Sequence, residues 1–129
     1  MNNIDEVAFV YRNQATERGA NFIKVVTEGK DSEPFAKVEV ISNGMSQLIE
    51  TKRVKGYLSA TDNVALFGLG DAATADTVRV IWPSGTYEEK YSVDANTVLT
   101  FKQNNATLAY QAPPAPKTLL KESKSTLGL

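Results

Sequence analysis

The chemistry open to this chain is limited first by the residue types that it lacks. The sequence contains no histidine and no cysteine, which excludes a Ser-His-Asp triad, a thiol nucleophile and a thiolate zinc site. General acid or base work would fall to carboxylates, tyrosines or lysines. We therefore predict no catalytic residues, no metal site and no cofactor.

A glycine-rich run, GLGDAA from Gly68 to Ala73, matches the letters of a dinucleotide-binding fingerprint. Such a site needs a full helix after the glycines to hold the pyrophosphate, but only six residues separate Gly70 from the next predicted strand. The pattern therefore favours a loop between strands in which Gly68 and Gly70 have structural roles. Asp71 and Asp76 lie in the same predicted loop, which lacks the oxygen ligands of a calcium site, so they are predicted to cap turns.

Aromatic side chains offer a second kind of site. Tyr87 and Tyr91 fall on one face of a predicted strand, and Tyr57 lies before a neighbouring strand. Flat aromatic rings on a sheet face can stack on a sugar or another apolar ligand surface, so these three tyrosines are the candidate ligand-binding residues. The alternative is that they frame the rim of a core built on Phe67 and Trp82.

The elements that would position these residues are strands, because apolar and polar residues alternate with period two along most of the chain. The predicted fold class is all-β, an antiparallel β-sandwich or partly open barrel of about seven to nine strands. Parallel strands would need crossover helices, and the sequence predicts only a single helical turn, at 71–75. Strands are predicted at 21–26, 36–42, 45–52, 63–67, 77–82, 86–91 and 97–102, with edge strands at 7–11 and 107–110.

Turn residues connect several of these strands. Asn43-Gly44 predicts a type I′ hairpin, and Pro83-Ser84-Gly85 predicts a tight reversal after Trp82. Gln103 to Asn105 is predicted to close a third hairpin onto 107–110. Trp82, Pro83, Gly85, Gly68 and Gly70 are therefore the predicted structural motif, and the predicted buried residues are Val38, Val40, Val78, Val80, Trp82, Leu99 and Phe101.

Length and charge bound the remaining classes. The chain has 129 residues, which is enough for one domain, and a net charge of -1. That charge provides no field to steer nucleic acid, and no apolar run approaches the roughly 20 residues of a membrane span. The predicted organisation is a lead-in segment at 1–18, a β domain at 19–111 and a proline- and lysine-rich linker tail at 112–129.

The motifs in their order along the chain resemble the ASPIC/UnbV domain of acidic secreted cartilage proteins and bacterial surface proteins. The resemblance rests on NFIKV (21–25), AKVEV (36–40), KGYLSA (55–60), ALFGLGDAATADTVRVIWPSG (65–85) and DANTVLTF (94–101). The chain departs from the family pattern at Phe35-Ala36-Lys37-Val38, at Ser59-Ala60, and at Leu66, where relatives carry a histidine.

This resemblance implies a context beside FG-GAP or VCBS repeats, which form β-propeller blades, in an extracellular or cell-surface protein. For a bacterial protein it implies a periplasmic or outer-membrane-associated location. FVYRN (9–13) is similar to the closing strand of such a repeat. No catalytic activity is generally assigned to the family, so the resemblance implies a noncatalytic accessory domain that packs beside a propeller and supports protein or glycan binding.

Two other functions remain open at this stage. One is an autonomous carbohydrate-binding module built on the tyrosines. The other is a carboxylate-based hydrolase, which would need two acidic side chains roughly 5 to 9.5 Å apart in a cleft.

Overall fold

The computed structural model describes residues 5, 7–29 and 35–114. Within this part of the chain, eight strands form two sheets that pack face to face as a sandwich. The strands are β1 (Asn21–Glu28), β2 (Lys37–Ser42), β3 (Met45–Glu50), β4 (Val64–Gly70), β5 (Thr74–Ile81), β6 (Thr86–Asp94), β7 (Thr97–Lys102) and β8 (Leu108–Ala109). The predicted all-β sandwich is confirmed, and the strands that the structure describes do not close into a barrel.

The larger sheet has the strand order β3-β2-β5-β6-β8 and is antiparallel throughout. Asn43 and Gly44 connect β2 to β3 with φ of 50° and 73°, the positive values that a type I′ turn requires. Between β5 and β6, Gly85 donates its N–H to the Trp82 carbonyl at 2.9 Å and has φ of 80°. A turn followed by a left-handed glycine is a common hairpin connection, and both predicted hairpins are confirmed.

The smaller sheet has the order β4-β1-β7, and it corrects the expectation of purely antiparallel pairing. β1 runs antiparallel to β4 but parallel to β7, with Ile23 opposite Thr97. The crossover between two parallel strands needs a long connection. Here β2 to β6, most of which belong to the larger sheet, supply that connection, so no helix is needed.

The core lies between the two sheets and contains six of the seven residues predicted to be buried. Trp82, Phe101, Val38, Val40, Val78 and Val80 are at most 2% exposed. Leu99 is only partly buried and packs against this cluster. On β6 the inward positions are Glu88 and Lys90, since they lie opposite Val80 and Val78.

Three local predictions are wrong. Residues 7–11 form no strand, and 71–75 form no helical turn because β4 extends to Gly70 and β5 begins at Thr74. Gln103–Asn105 is a short 3-10 turn, and β8 pairs with β6 rather than with β7. In the described part of the chain, no helix is long and apolar enough to cross a membrane.

Candidate binding surfaces

Tyr87 and Tyr91 lie on the outer face of the five-stranded sheet, as their spacing on β6 predicts. Tyr87 is opposite Ile81, and Tyr91 is opposite Thr77. The Arg79 guanidinium lies 5.6 Å from the centroid of the Tyr87 ring. The Tyr110 ring packs edge-on against the Tyr87 ring, and the two ring centroids are 6.1 Å apart. Tyr87 is therefore already engaged by its own chain on two sides.

Arg79 is the centre of an ion-pair network on the same face. Its Nη1 lies 3.1 Å from Glu39 Oε2, and its Nη2 lies 2.9 Å from Glu89 Oε2. The Ser46 hydroxyl donates to Glu39 Oε1 at 2.9 Å, and the Tyr91 hydroxyl donates to Glu89 Oε1. Each carboxylate is therefore held by the same guanidinium and by one neighbouring hydroxyl.

The pKa values on this face reflect those contacts. The hydrogen bond from Tyr91 is the largest cause that lowers the pKa of Glu89, and Arg79 lowers it further against the opposing effect of burial. The same Glu89 contact raises the pKa of Tyr91. Burial alone would lower the pKa of Arg79, but the hydrogen bond and charges of Glu89 and Glu39 outweigh it and raise that pKa.

Tyr57 lies apart from the other two tyrosines, at the tip of the loop that follows β3. The two sides of this loop are joined by an antiparallel β-bridge between Val54 and Ala60, and Lys55 N–H donates to the Ser59 carbonyl at 3.1 Å. Tyr57 and Leu58 are 91% and 90% exposed. Within the described residues Tyr57 makes no ring contact with Tyr87 or Tyr91, so the three candidates do not form one platform.

The glycine and tryptophan motif is distributed over strands and turns rather than over one loop. Gly68 and Gly70 belong to β4, and Asp76 to β5, so the predicted long glycine loop does not exist. Gly70 has φ of 61° at a tight corner, where Ala72 N–H donates to the Leu69 carbonyl. A Cβ on Gly68 would meet no atom within 4 Å. The conformational argument therefore applies to Gly70 and not to Gly68.

The outer face of the three-stranded sheet is a surface that the sequence analysis missed. Its outward positions are those that alternate with the buried residues of β1, β4 and β7. Val64, Leu66 and Val98 are 43%, 53% and 59% exposed there, and Phe22 and Val26 are half-buried beside them. We call Phe22, Val26, Val64, Leu66 and Val98 the apolar face.

A signal for the apolar face was present in the sequence. β4 begins with the apolar run VALF, and Val98 and Leu99 are adjacent in β7, so apolar residues occupy consecutive positions, which is typical of strands covered on both faces. Lys24 lies opposite Leu66 and Val98, in the middle of this surface. Its Nζ lies 5.9 Å from the centroid of the Phe22 ring, and no carboxylate among the described residues forms an ion pair with it.

A cleft of about 590 Å³ opens at one end of the five-stranded sheet. It lies where β2 begins, where β3 and β5 end, and beside the turn before β6. Phe35, Ile81, Trp82, Pro83 and Tyr110 form its apolar part. Trp82 was predicted as a core residue and, with Pro83 and Gly85, as part of the turn, and the position of these residues beside a cleft was not predicted.

Groups of three or more acidic side chains that could hold a metal ion do not occur among the residues that the structure describes. Glu39 and Glu89 are both paired with Arg79 on the outer face of the five-stranded sheet. A hydrolase would need paired carboxylates in a cleft, and among the residues that the structure describes Glu50 alone brings a carboxylate to the lining of the cleft described above.

Comparison with known proteins gives one family. The model of the family described as ASPIC and UnbV matches residues 36–108, which is more than half of the 129-residue chain. No curated protein and no solved structure matches the chain. The matched stretch begins at the strand β2 and leaves out β1, the central strand of the smaller sheet.

Proposed function

This chain belongs to the family of ASPIC and UnbV domains, and from that premise we propose that it is a noncatalytic accessory domain of a larger protein. In this proposal the domain packs against a neighbouring β-propeller made of FG-GAP or VCBS repeats and helps that propeller to engage its partners. The location that goes with this function is extracellular or at the cell surface.

The observation that carries the proposal is the apolar face of the three-stranded sheet. Exposed apolar side chains scattered singly are ordinary, but a contiguous group is typical of an interaction site. Leu66 and Val98 flank Lys24 in one row across the sheet, and Val64 and Val26 lie in the next row. Burial of such a surface against a neighbouring domain would gain about 25 cal/mol per Å² of apolar area.

The segment that leads into β1 supports the same proposal. Val10 and Tyr11 are 94% and 75% exposed, although their types favour strands and burial. After the short 3-10 turn Thr16–Arg18, the chain enters β1, the central strand beneath the apolar face. A neighbouring repeat that included 9–13 as its closing strand would therefore be attached close to this sheet.

A protein partner is better supported than a glycan. The ring of Tyr87 already contacts Arg79 and Tyr110, and the hydroxyl of Tyr91 is bonded to Glu89. A sugar that stacked on these rings would have to compete with contacts inside the domain. Tyr57 is exposed but lies alone at its loop tip.

The test compares the domain alone with the domain joined to its upstream repeats. We expect the longer chain to raise the free energy of unfolding of the domain, measured by urea titration with Trp82 fluorescence. The double variant Leu66→Thr/Val98→Thr should abolish that increase, because it makes the apolar face polar. It should change the stability of the isolated domain by less than about 1 kcal/mol, since both side chains are exposed.

The matched control is Leu48→Thr, since Leu48 is 61% exposed on the outer face of the other sheet. It should leave the increase in place. If the upstream repeats add no stability, or if Leu48→Thr removes as much of it as the double variant, the apolar face is not the interface.

A further inference from the structure

Lys24 occupies the central position of the apolar face. It lies on β1, the middle strand of the smaller sheet, directly opposite Leu66 of β4 and Val98 of β7. Phe22 and Val26 are the neighbouring outward residues along β1, because Ile23 and Val25 between them point into the core. Apolar side chains therefore surround the lysine on four sides, and a surface that covers the apolar face must also cover Lys24.

The ammonium group of Lys24 has no counter-ion among the residues that the structure describes. The ion pairs of this region are limited to Glu28 and Lys102, whose Oε2 and Nζ lie 3.2 Å apart at the end of β1. Lys24 Nζ lies 5.9 Å from the centroid of the Phe22 ring. A cation–π contact of this kind offsets only a small part of the cost of removing an ammonium from water. A purely apolar covering surface would therefore bury an uncompensated charge.

Space beside Lys24 is left open by a glycine. Gly68 lies opposite Phe22 at an outward position of β4, and a Cβ built on it would meet no atom within 4 Å. The Lys24 side chain lies toward the Phe22 ring, so its ammonium is close to this open position. A side chain of a docked neighbour can reach the ammonium there without displacing Leu66 or Phe22.

The charge of the whole face favours an acidic partner over a second copy of this chain. The charged residues at the outward positions of β1, β4 and β7 are Lys24, Glu28 and Lys102, which gives the face a net charge of +1. Two copies stacked through this face would bring together two surfaces of the same sign. A surface with one acidic side chain would instead neutralise the excess charge, as complementary interfaces do.

We propose that the surface that docks on the apolar face presents one Asp or Glu carboxylate within an apolar surround, and that this carboxylate forms an ion pair with Lys24. This inference rests on the proposed function, because it takes the docked neighbour as given and defines its chemistry. The apolar residues then supply most of the affinity. Lys24 selects the register, since a shifted neighbour would leave both charges buried without partners.

The experiment measures docking in the longer chain that includes the upstream repeats. The increase in unfolding free energy that the repeats give to this domain is converted into an equilibrium constant for docking. Lys24→Met keeps the length and the apolar stem of the side chain and removes its charge. We expect the docking constant to fall about thirtyfold or more, because the carboxylate of the neighbour is then buried without a cation. Lys24→Arg, which keeps the charge, should retain most of the docking.

The sign of the Lys24→Met effect separates this proposal from docking on a purely apolar surface. Without a carboxylate in the neighbour, Lys24→Met would strengthen docking, because it removes a charge that docking must desolvate. A docking constant that rises or stays the same in Lys24→Met would overturn the ion pair and leave the proposed function standing. If the upstream repeats give the wild type no increase in stability, both the proposed function and this inference are wrong.

The matched control is Lys37→Met, which makes the same change of charge on the outer face of the five-stranded sheet. It should leave the docking constant within about twofold, since Lys37 lies far from the apolar face on the scale of electrostatic screening. Equal losses in Lys24→Met and Lys37→Met would show a general effect of charge and overturn the proposal.

The 129-residue chain alone provides the second control. Lys24→Met should leave its urea midpoint unchanged, because Lys24 is exposed in the isolated domain. The midpoint of the wild type should not depend on protein concentration. A midpoint that rises with concentration in the wild type, and no longer does so in Leu66→Thr/Val98→Thr, would show that a second copy covers the apolar face and that the acidic neighbour is wrong.

Discussion

The two outer faces of the sandwich differ in how far their groups are satisfied within the domain. On the five-stranded sheet, Arg79 forms ion pairs with Glu39 and Glu89. The hydroxyls of Ser46 and Tyr91 donate hydrogen bonds to these two carboxylates. On the three-stranded sheet, Leu66 and Val98 are exposed around Lys24, which has no carboxylate partner among the described residues. The charged groups at the centre of one face are paired within the domain, whereas the centre of the other face has apolar side chains around a lysine that forms no ion pair with a described residue.

The difference teaches where to look for function in a small domain without catalytic groups. An exposed polar network that is saturated by its own chain offers little to a ligand, because binding would exchange one set of contacts for another. An exposed apolar face gains free energy only when something covers it. The surface with fewer internal contacts is therefore the better candidate for binding.

The largest effect should come from the core that both faces share. Trp82→Ala removes a side chain that is 2% exposed between the sheets, and we expect it to cost about 3–5 kcal/mol of unfolding free energy. Urea titration followed by far-UV circular dichroism measures this. A loss below about 1 kcal/mol would show that the indole contributes little to the core. The two sheets would then not be packed on a shared core, and their outer faces could not be compared as two surfaces of one sandwich.

A smaller loss of unfolding free energy should follow when the cation at the centre of the Arg79 network is removed. Arg79→Met leaves Glu39 and Glu89 without their shared cation, and we expect a cost of about 1–3 kcal/mol because these side chains are only partly exposed. The combined variant Arg79→Met/Glu39→Gln should lose less than the sum of the single changes. If Arg79→Met costs under about 0.5 kcal/mol, the network is an ordinary surface ion pair.

Two glycines of β4, a strand of the sheet that carries the apolar face, test the role of backbone conformation in that sheet. Gly70→Ala should cost about 1–2 kcal/mol, because φ of 61° is strained for a residue with a Cβ. Gly68→Ala should be neutral or stabilise by up to about 1 kcal/mol, since its Cβ would meet open space. Thermal unfolding of both variants gives the difference, and equal losses would contradict a purely conformational role for Gly70.

The smallest effect concerns acid. The pKa of Glu89 in the folded domain lies below its ordinary value of 4.5, so its contribution to stability is present above that value and is lost as pH falls through the folded-state pKa. Glu89→Gln should therefore flatten the decline of unfolding free energy in the acid range. Glu28→Gln, which removes a carboxylate that is 51% exposed beside Lys102 on the other sheet, is the control for the loss of one negative charge.

The strands and turns of the larger sheet could be predicted because their signals are local. Asn43-Gly44 fixes the β2–β3 hairpin, and alternation in TVRVIW places Val78 and Val80 inward. Alternation along β6 likewise places the neighbouring carboxylates on opposite faces, since Glu88 lies opposite Val80 while Glu89 pairs with Arg79.

What could not be predicted depends on contacts between distant segments. Neither the β1 nor the β7 sequence contains a pattern that indicates their parallel pairing. The pairing of β8 with β6 depends on the direction that the chain takes after the 3-10 turn Gln103–Asn105. The engagement of Tyr87 by Arg79 and Tyr110 follows from register across three strands. Spacing within one strand placed the tyrosines on a face but could not show what already contacted them.

The position of β1 also affects the order in which the strands can pair during folding. The hairpins β2–β3 and β5–β6 join neighbours in sequence, whereas Ile23 must find Thr97 near the other end of the domain. Closing so long a loop costs entropy and slows folding. During synthesis β1 leaves the ribosome before the other strands of the two sheets, and it can pair with β4 on one side, but its other edge stays unpaired until β7 has left the exit tunnel. Chaperone binding to the growing polypeptide should therefore centre on residues 21–28.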